Sequence, residues 1–355
     1  MAKAKKLPSG SWRVKVSTGT KDENGNYIYE SITRPTEKEA NYAALELELK
    51  YKSLRKSITN MTLLEAMQAY IDSKDGILSP STLRSYSMIK KNNLQRIMPL
   101  NLNKLTQSVI QSAINDESKT HSPKTVHNIY GLLSAVLKEY YPTFELKIKL
   151  PPKNKTINTL LNAQQLKILL DVIKDSEMEI PILLAVWLGL RQSEICGLKW
   201  NCIDIANRTL TIKEVKVRNS NNEMVLKKTK TYSSTRVLEI PTYILNKLEV
   251  IQKDGEFITQ LKGHNLYERF QTILRQNNLP LIRFHDLRHL NASIMLALNI
   301  PDKYAMERGG WATNYTMKNV YQQTMEDERK VVDSIVNDYF EKLLCHDLGH
   351  ENSNT

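Results

Sequence analysis

A basic, proline-containing stretch, Pro151-Pro152-Lys153-Asn154-Lys155, separates two patterns that cannot be merged into one core. Proline has no amide donor and holds φ fixed, so neither a helix nor an inner strand runs through such a pair. The 355-residue chain must then be built from separate units, which its length also demands. Hydrophobic residues make up 41% of it, enough to give each unit a core.

Residues 1–57 read as a small sheet with one helix. Trp12, Val14 and Val16 alternate with Arg13 and Lys15, a period-2 strand with a basic face. A turn at Asn24-Gly25 leads to Tyr27-Ile28-Tyr29, and Thr36-x-x-Glu39 is a capping box opening a helix with Ala40, Ala43, Ala44, Leu47 and Tyr51 on one face. The first 60 residues carry 12 Lys/Arg against 7 Asp/Glu. A basic two- or three-stranded sheet of this kind can enter a DNA major groove, which makes Arg13 and Lys15 candidate contacts, although a structural domain with a solvated basic face has the same pattern.

Residues 58–150 read as a bundle of about four helices. Thr62-x-x-Glu65 is a second capping box, Ser79-Pro80 and Ser122-Pro123 punctuate further starts, and Val126, Ile129, Leu133, Val136, Leu137 and Tyr140 line the last helix. Lys90 and Lys91 supply charge for a possible DNA contact. Residues 151–160 are the linker. Residues 161–340 open on the cap Asn162-x-x-Gln165, continue through a buried helix ending at Gly189, show strand signals at Thr209–Ile212, 215–217 and 237–240, and become helical again after Thr242. Residues 341–355 form a polar tail.

A net charge of +12 points to a polyanionic partner, nucleic acid before an anionic membrane. Three cysteines without metal-ligand spacing argue against a disulfide framework or zinc site, and no carboxylate cluster suggests another metal. The basic start leads into Pro8-Ser9-Gly10, not an apolar stretch, and no apolar run reaches membrane length. The expectation is a cytoplasmic protein with no cofactor and no membrane partner.

Four places carry chemistry. Arg191, just after the buried helix, needs a partner: Glu194 or a ligand anion, and a structural ion pair explains it equally well. In Arg283-Phe284-His285-Asp286-Leu287-Arg288-His289, helical spacing groups His285, Arg288 and His289 opposite the apolar Leu287, Leu290, Ile294 and Leu298. A His–Arg pair there, facing away from the core, can grip a phosphate, or can be a solvated polar face. The run Lys227-Lys228-Thr229-Lys230 lies between strand signals, where a lysine can donate a proton or merely contact phosphate. Tyr321 follows Gly309-Gly310-Trp311 by ten residues, and a phenol can attack phosphorus if its proton is removed.

The ordered set Arg191, Lys230, His285-x-x-Arg288, Trp311 and Tyr321 resembles the signature of the tyrosine recombinase, or phage integrase, family. "GLRQSEICGLKW", "TKTYSSTRVLEIP", "FHDLRH" and "GGWATNYTMKNVYQ" carry the likeness. The position usually held by a second histidine is Trp311. The resemblance implies a multidomain α+β chain: a small N-terminal three-stranded sheet plus helix that binds arm-type DNA, an all-helical core-binding bundle, and a mainly helical catalytic domain with a small antiparallel sheet. It implies that Tyr321 forms a 3′-phosphotyrosyl link, that Arg191 and Arg288 clamp the phosphate, and that Lys230, with Lys228 as rival, protonates the leaving oxygen. His285 would act on the Tyr321 proton or hold the phosphate, Trp311 would orient a phosphate oxygen, and Glu194 would support its neighbours. It further implies a tetramer on DNA, with an amphipathic segment after Tyr321 (Val331, Val332, Ile335, Val336) that docks on its own or a neighbouring subunit. An excisionase and a host DNA-bending protein are possible partners, and a bacterial phage or integrative element the expected source. A type IB-like topoisomerase, a catalytically inactive DNA-binding protein and a housekeeping chromosome-dimer resolvase, whose relatives usually lack the N-terminal sheet domain, are the alternatives.

Overall fold

Alternation in the first long strand decides the N-terminal layer. In the computed structural model, which describes residues 3–21, 26–153, 159–228, 235–251, 255–315 and 317, β1 (Lys5–Lys6), β2 (Trp12–Lys21) and β3 (Tyr27–Arg34) form an antiparallel sheet in the order β1-β2-β3. Val14 and Val16 turn inward against Ala40 and Ala44 of α1 (Glu37–Asn60), because one sheet face must be covered to bury its apolar residues. Period 2 then forces Arg13 and Lys15 onto the open face, where both are exposed. Lys5 lies opposite Arg13, and Ser31 opposite Lys15, so that face is polar and basic across all three strands. At the start of α1 the Thr36 hydroxyl accepts the Glu39 amide at 3.3 Å. The turn expected at Asn24-Gly25 lies outside the described residues.

Four helices follow: α2 (Leu63–Ser73), α3 (Pro80–Asn92), α4 (Gln107–Thr120) and α5 (Pro123–Tyr140). Thr62 and Glu65 make both bonds of the capping box on α2, satisfying two amides that the helix itself cannot pair. Thr106 and Ser122 cap α4 and α5, whereas α3 starts on Pro80, and the Ser79 hydroxyl pairs with that of Ser81 and does not cap the helix backbone. Met67, Ile110, Ile114, Ile129, Leu133 and Val136 pack into one core, each contributing about 1.5–3 kcal/mol by leaving water. The chain leaving α5 is laced back onto the bundle: Gln107 and Gln111 hold the backbone of residues 145–149, and His127 Nε2 lies 3.0 Å from the Pro151 carbonyl.

By packing, the chain divides into two units, residues 1–155 with 218–223, and residues 156–217 with 224–355. The second contains α6 (Ala163–Val172), α7 (Glu179–Val186), α8 (Gln192–Gly197), β4 (Ile203–Asp204), β5 (Thr209–Ile212), β6 (Glu214–Arg218), β7 (Met224–Lys228), β8 (Arg236–Glu239), α9 (Thr242–Val250), α10 (Gly263–Gln276), α11 (Asp286–Ala297) and α12 (Asp302–Gly309). Every residue of α7 is buried, and α11 packs against it. Strands β4, β5 and β8 form a small antiparallel sheet, and β6 and β7 pair separately. The α+β class is therefore as the sequence implied, with β4 and β7 as additions. No helix among the described residues is long and apolar enough to cross a membrane.

Candidate active site

The site begins where α7 stops. Gly189 has φ +68°, and a Cβ there would lie 2.7 Å from Asn291 Oδ1, so the turn accepts glycine alone without strain. It delivers Arg191 to the start of α8. The Arg191 amide donates to Glu194 Oε2 at 2.9 Å and its Nη1 to Oε1 at 2.6 Å, while Nη2 donates to the Gly310 carbonyl at 3.0 Å. Roughly a third of the Arg191 side chain stays exposed, whereas Glu194 is only 1% exposed.

The second arginine comes from α11. Residue 285 is the N-cap of that helix and Arg288 lies in its first turn. Arg288 is 2% exposed. Its Nη1 donates to the Gly189 carbonyl, its guanidinium stacks 4.5 Å from the centre of the Trp311 ring, and its Nη2 is buried with no hydrogen-bond partner among the described residues. Burial first, then the nearby Arg191 charge, pushes its pKa down to about 9, which leaves it cationic at neutral pH. A buried cation beside a second cation, with an unused donor, is an arrangement that an anion would relieve.

Trp311 reaches this position through α12. Gly310, at φ +63°, ends the helix in a left-handed cap: its amide bonds to the Glu307 carbonyl and that of Trp311 to Met306. A Cβ on Gly309 would lie 2.1 Å from the Trp311 ring, so that glycine makes the room the indole fills. Trp311 is thus a buried floor under Arg288.

The site holds a third arginine. Arg236, at the start of β8, donates to both Glu194 oxygens, at 3.2 and 3.0 Å, and through Nε to the Arg308 carbonyl at 2.9 Å. Burial would raise the Glu194 pKa, but Arg236 and Arg191 outweigh it and hold the carboxyl below its usual range. Sequence reasoning missed Arg236 by starting the strand at Val237. Its signal was phase: Arg236 alternates with Leu238 on the inward side, and a charge at an inward position of a strand needs a buried partner.

His285 keeps an exposed edge, and its ring meets the His289 ring edge-on at 4.7 Å between centres. Burial, then His289 and Arg288, lowers its pKa to about 4, with Asp286 opposing and Arg191 adding to the fall. Solvent at the open edge screens part of this effect, and the ring is neutral at pH 7 on either count. His289 is lowered as well, burial leading and Asp286 opposing. The folded ring of His285 thus binds its proton less tightly than the unfolded one, near 6.5. Its contribution to stability is complete above that pH and is lost as the pH falls toward about 4. Thermal melts should show the wild type losing more melting temperature between pH 7 and pH 5 than His285→Gln; equal losses would mean that His285 feels no such environment.

The structure brings Arg191, Glu194, His285, Arg288 and Trp311 together. One expectation needs correction. Of the His285, Arg288, His289 group, Arg288 does not face away from the core: it is buried with Asp286, Leu287, Leu290 and Asn291, whereas His285 is exposed and His289 half-buried. The buried polar side chains of α11 satisfy carbonyls at and after the end of α7, Arg288 at Gly189 and Asn291 at Val186 and Trp187. Lys228 ends β7 with an exposed side chain, and Tyr315 is 77% exposed. Lys230, Tyr321 and the segment containing Val331 to Val336 lie outside the described residues. In the N-terminal unit, Lys91 is exposed, and Lys90 donates to Gln68 on α2. Among the described residues no group of three His, Cys, Asp or Glu side chains could hold a metal ion.

Residues 159–328 match the model of the phage integrase family. The chain carries a phage integrase family domain. Enzymes of this family, the tyrosine recombinases, cleave and rejoin DNA strands. It is 24% identical to a tyrosine recombinase XerC-like protein of Caldanaerobacter subterraneus subsp. tengcongensis, over 93% of this chain and 96% of that one. It is 25% identical to the integrase of Staphylococcus phage L54a, over 67% of this chain and 80% of the relative. In fold it resembles the Tn1549 transposon integrase in complex with transposon right end DNA, with TM-score 0.62, 17% identity and coverage of 78% of this chain and all of that one. It also resembles a lambda integrase tetramer bound to a Holliday junction, with TM-score 0.56, 17% identity and coverage of 92% and 97%. The integrase domain thus includes every residue of the arginine cluster.

Proposed function

We propose that this chain is the integrase of a phage or other mobile element, joining DNA at specific sites, and excising it, through a 3′-phosphotyrosyl link to Tyr321. The observation that carries the reading is the buried Arg288 donor, without a partner among the described residues, next to Arg191. Two guanidiniums present planar forks suited to the non-bridging oxygens of one phosphate. Phosphoryl transfer depends chiefly on such placement and charge stabilisation. In the proposed reaction Tyr321 attacks the scissile phosphate while neutral His285 accepts or guides its proton. The bond from phosphorus to the 5′-oxygen breaks, and Lys230 supplies that oxygen with a proton. A 5′-hydroxyl of the partner duplex then reverses the step, so the ester energy is conserved and no hydrolysis occurs. Arginines take the charge-neutralising role, and the proposed reaction has no metal or other cofactor. Trp311 holds the Arg288 plane, and Glu194 holds Arg191.

Around this centre we place an arm-type DNA-binding domain at 1–57, with Arg13 and Lys15 toward the groove. A core-binding bundle follows at 58–150 with Lys90 and Lys91 toward phosphates, then a linker at 151–160, a catalytic domain at 161–340 and a polar tail at 341–355. The basic open face of the N-terminal sheet supports the first assignment. The working form is a tetramer on paired duplexes, in a bacterial cytoplasm, with an excisionase and a host DNA-bending protein as accessory factors. The phage and transposon integrases among its relatives support the mobile-element reading.

A two-plasmid assay tests it. One plasmid carries DNA from the flanks of the gene and the other the fused flanks. Joined plasmids with defined junctions are the expected product. Relaxation of supercoils without any site preference would replace this reading with a topoisomerase, and binding without either product would make the chain a DNA-binding protein.

A further inference from the structure

Arg236 touches both supports on which the two phosphate-facing arginines rest. On one side its guanidinium grips Glu194, at 3.0 Å to Oε2, and Glu194 is the carboxylate that holds Arg191 at 2.6 Å. On the other side its Nε meets the Arg308 carbonyl at the end of α12. The next residues of that helix end are Gly309, Gly310 and Trp311, the floor beneath Arg288. Arg191 also binds this end, at the Gly310 carbonyl. Two cations thus seat the carbonyl end of a helix, where the dipole favours positive charge.

Charge counting adds a second argument. Arg191, Arg236 and Arg288 surround the single carboxylate of Glu194, and both Arg236 and Glu194 are almost wholly buried, at 4% and 1%. Without Arg236, Glu194 would spend its full charge on Arg191 and pull that guanidinium from a phosphate. With Arg236 present, the carboxylate is shared, and Arg191 keeps charge to offer.

We infer that Arg236 is a positioning residue for strand cleavage: it neutralises Glu194 and anchors the end of α12, and thereby frees Arg191 and steadies Trp311 under Arg288. This rests on the phosphoryl-transfer reading above. A merely structural residue would affect cleavage only through the folded fraction or DNA binding. Arg236 should affect the cleavage step itself, and charge at that position should matter more than shape.

The test uses the full chain, a nicked duplex carrying its site, and single-turnover formation of the covalent adduct. Arg236→Gln and Arg236→Lys are compared with wild type at a temperature where near-ultraviolet circular dichroism shows each folded. Arg236→Gln should lower the maximal rate by about 100-fold, the scale of a lost charge-stabilising group, with the half-saturating DNA concentration changed less than about threefold. Arg236→Lys should recover about tenfold of that loss, about 1.4 kcal/mol, and stay roughly tenfold below wild type. Should Arg236→Gln lack a folded temperature range, Arg236→Lys alone is read: an unaltered maximal rate or a change confined to half-saturation overturns the inference. So does a folded Arg236→Gln that cleaves at the wild-type rate, or an Arg236→Lys no faster than Arg236→Gln. A wild-type chain that forms no adduct on its site overturns the phosphotyrosyl reading and this inference together.

Discussion

Arg288→Met should abolish most strand cleavage, about 10²–10³-fold in rate, while leaving the protein at least as stable as before. The two effects have one cause. Arg288 is a charged group with 2% exposure; among the described residues it forms no ion pair, and one of its donors has no partner. Burying such a cation costs several kcal/mol, and an apolar chain of similar length removes that cost. The bond to the Gly189 carbonyl and the stacking on Trp311 are lost in exchange, at roughly 1–3 kcal/mol together. On the proposed reading, the free protein bears the strain of an anion site that the scissile phosphate relieves. Adduct formation and thermal melts on the same preparations check this. A melting temperature lowered by more than about 10 °C, with activity lost in proportion, would make Arg288 a packing residue.

Glu194→Ala should have the largest effect on stability. It removes the carboxylate that Arg236, 4% exposed, grips with both Nη atoms, and frees Arg191 from its anchor. Breaking one partner out of a buried ion network costs about 3–5 kcal/mol. For a unit of this size each kcal/mol is worth about 2–4 °C, so the melting temperature should fall by roughly 6–20 °C. Glu194→Gln keeps the shape and one acceptor and should fall less. Because the Glu194 pKa is held below its usual range, the wild-type advantage is present above the ordinary carboxylate range and is lost as the pH falls through the lowered value. The gap between wild type and Glu194→Gln should therefore narrow in acid, and a constant gap from pH 7 to pH 3 would show that the carboxylate charge is not what Arg236 needs.

Much of this was legible in the residues. Period-2 alternation in Trp12–Val16 placed Arg13 and Lys15 on the open sheet face, because Val14 and Val16 had to be covered. The capping boxes at Thr62 and Asn162 marked two helix starts to the residue. Arg191 and Glu194 were legible as a pair because a guanidinium beside a buried helix needs an acid. What failed was the rule that a helix turns its polar face to water. It holds when one side of the helix is covered, but at the start of α11 Asp286, Leu287 and Arg288 are all buried, and Arg288 goes inward with Leu287. Arg236 was hidden by its neighbourhood, a lysine- and serine-rich stretch that reads as loop, and β7 by its lysines. Its partner Glu194 is 42 residues away, a distance that local periodicity cannot bridge.

The most direct test of the central claim is chemical. The full chain is incubated in EDTA with a duplex nicked beside the crossover point, so that the released fragment diffuses away and the cleaved state is trapped. The protein–DNA adduct is then digested and the modified peptide sequenced by mass spectrometry. The expected result is a deoxynucleotide 3′-phosphate on Tyr321, absent from Tyr321→Phe. A nucleotide on Tyr315, or an unmodified protein beside cleaved DNA with free phosphate ends, would contradict the account.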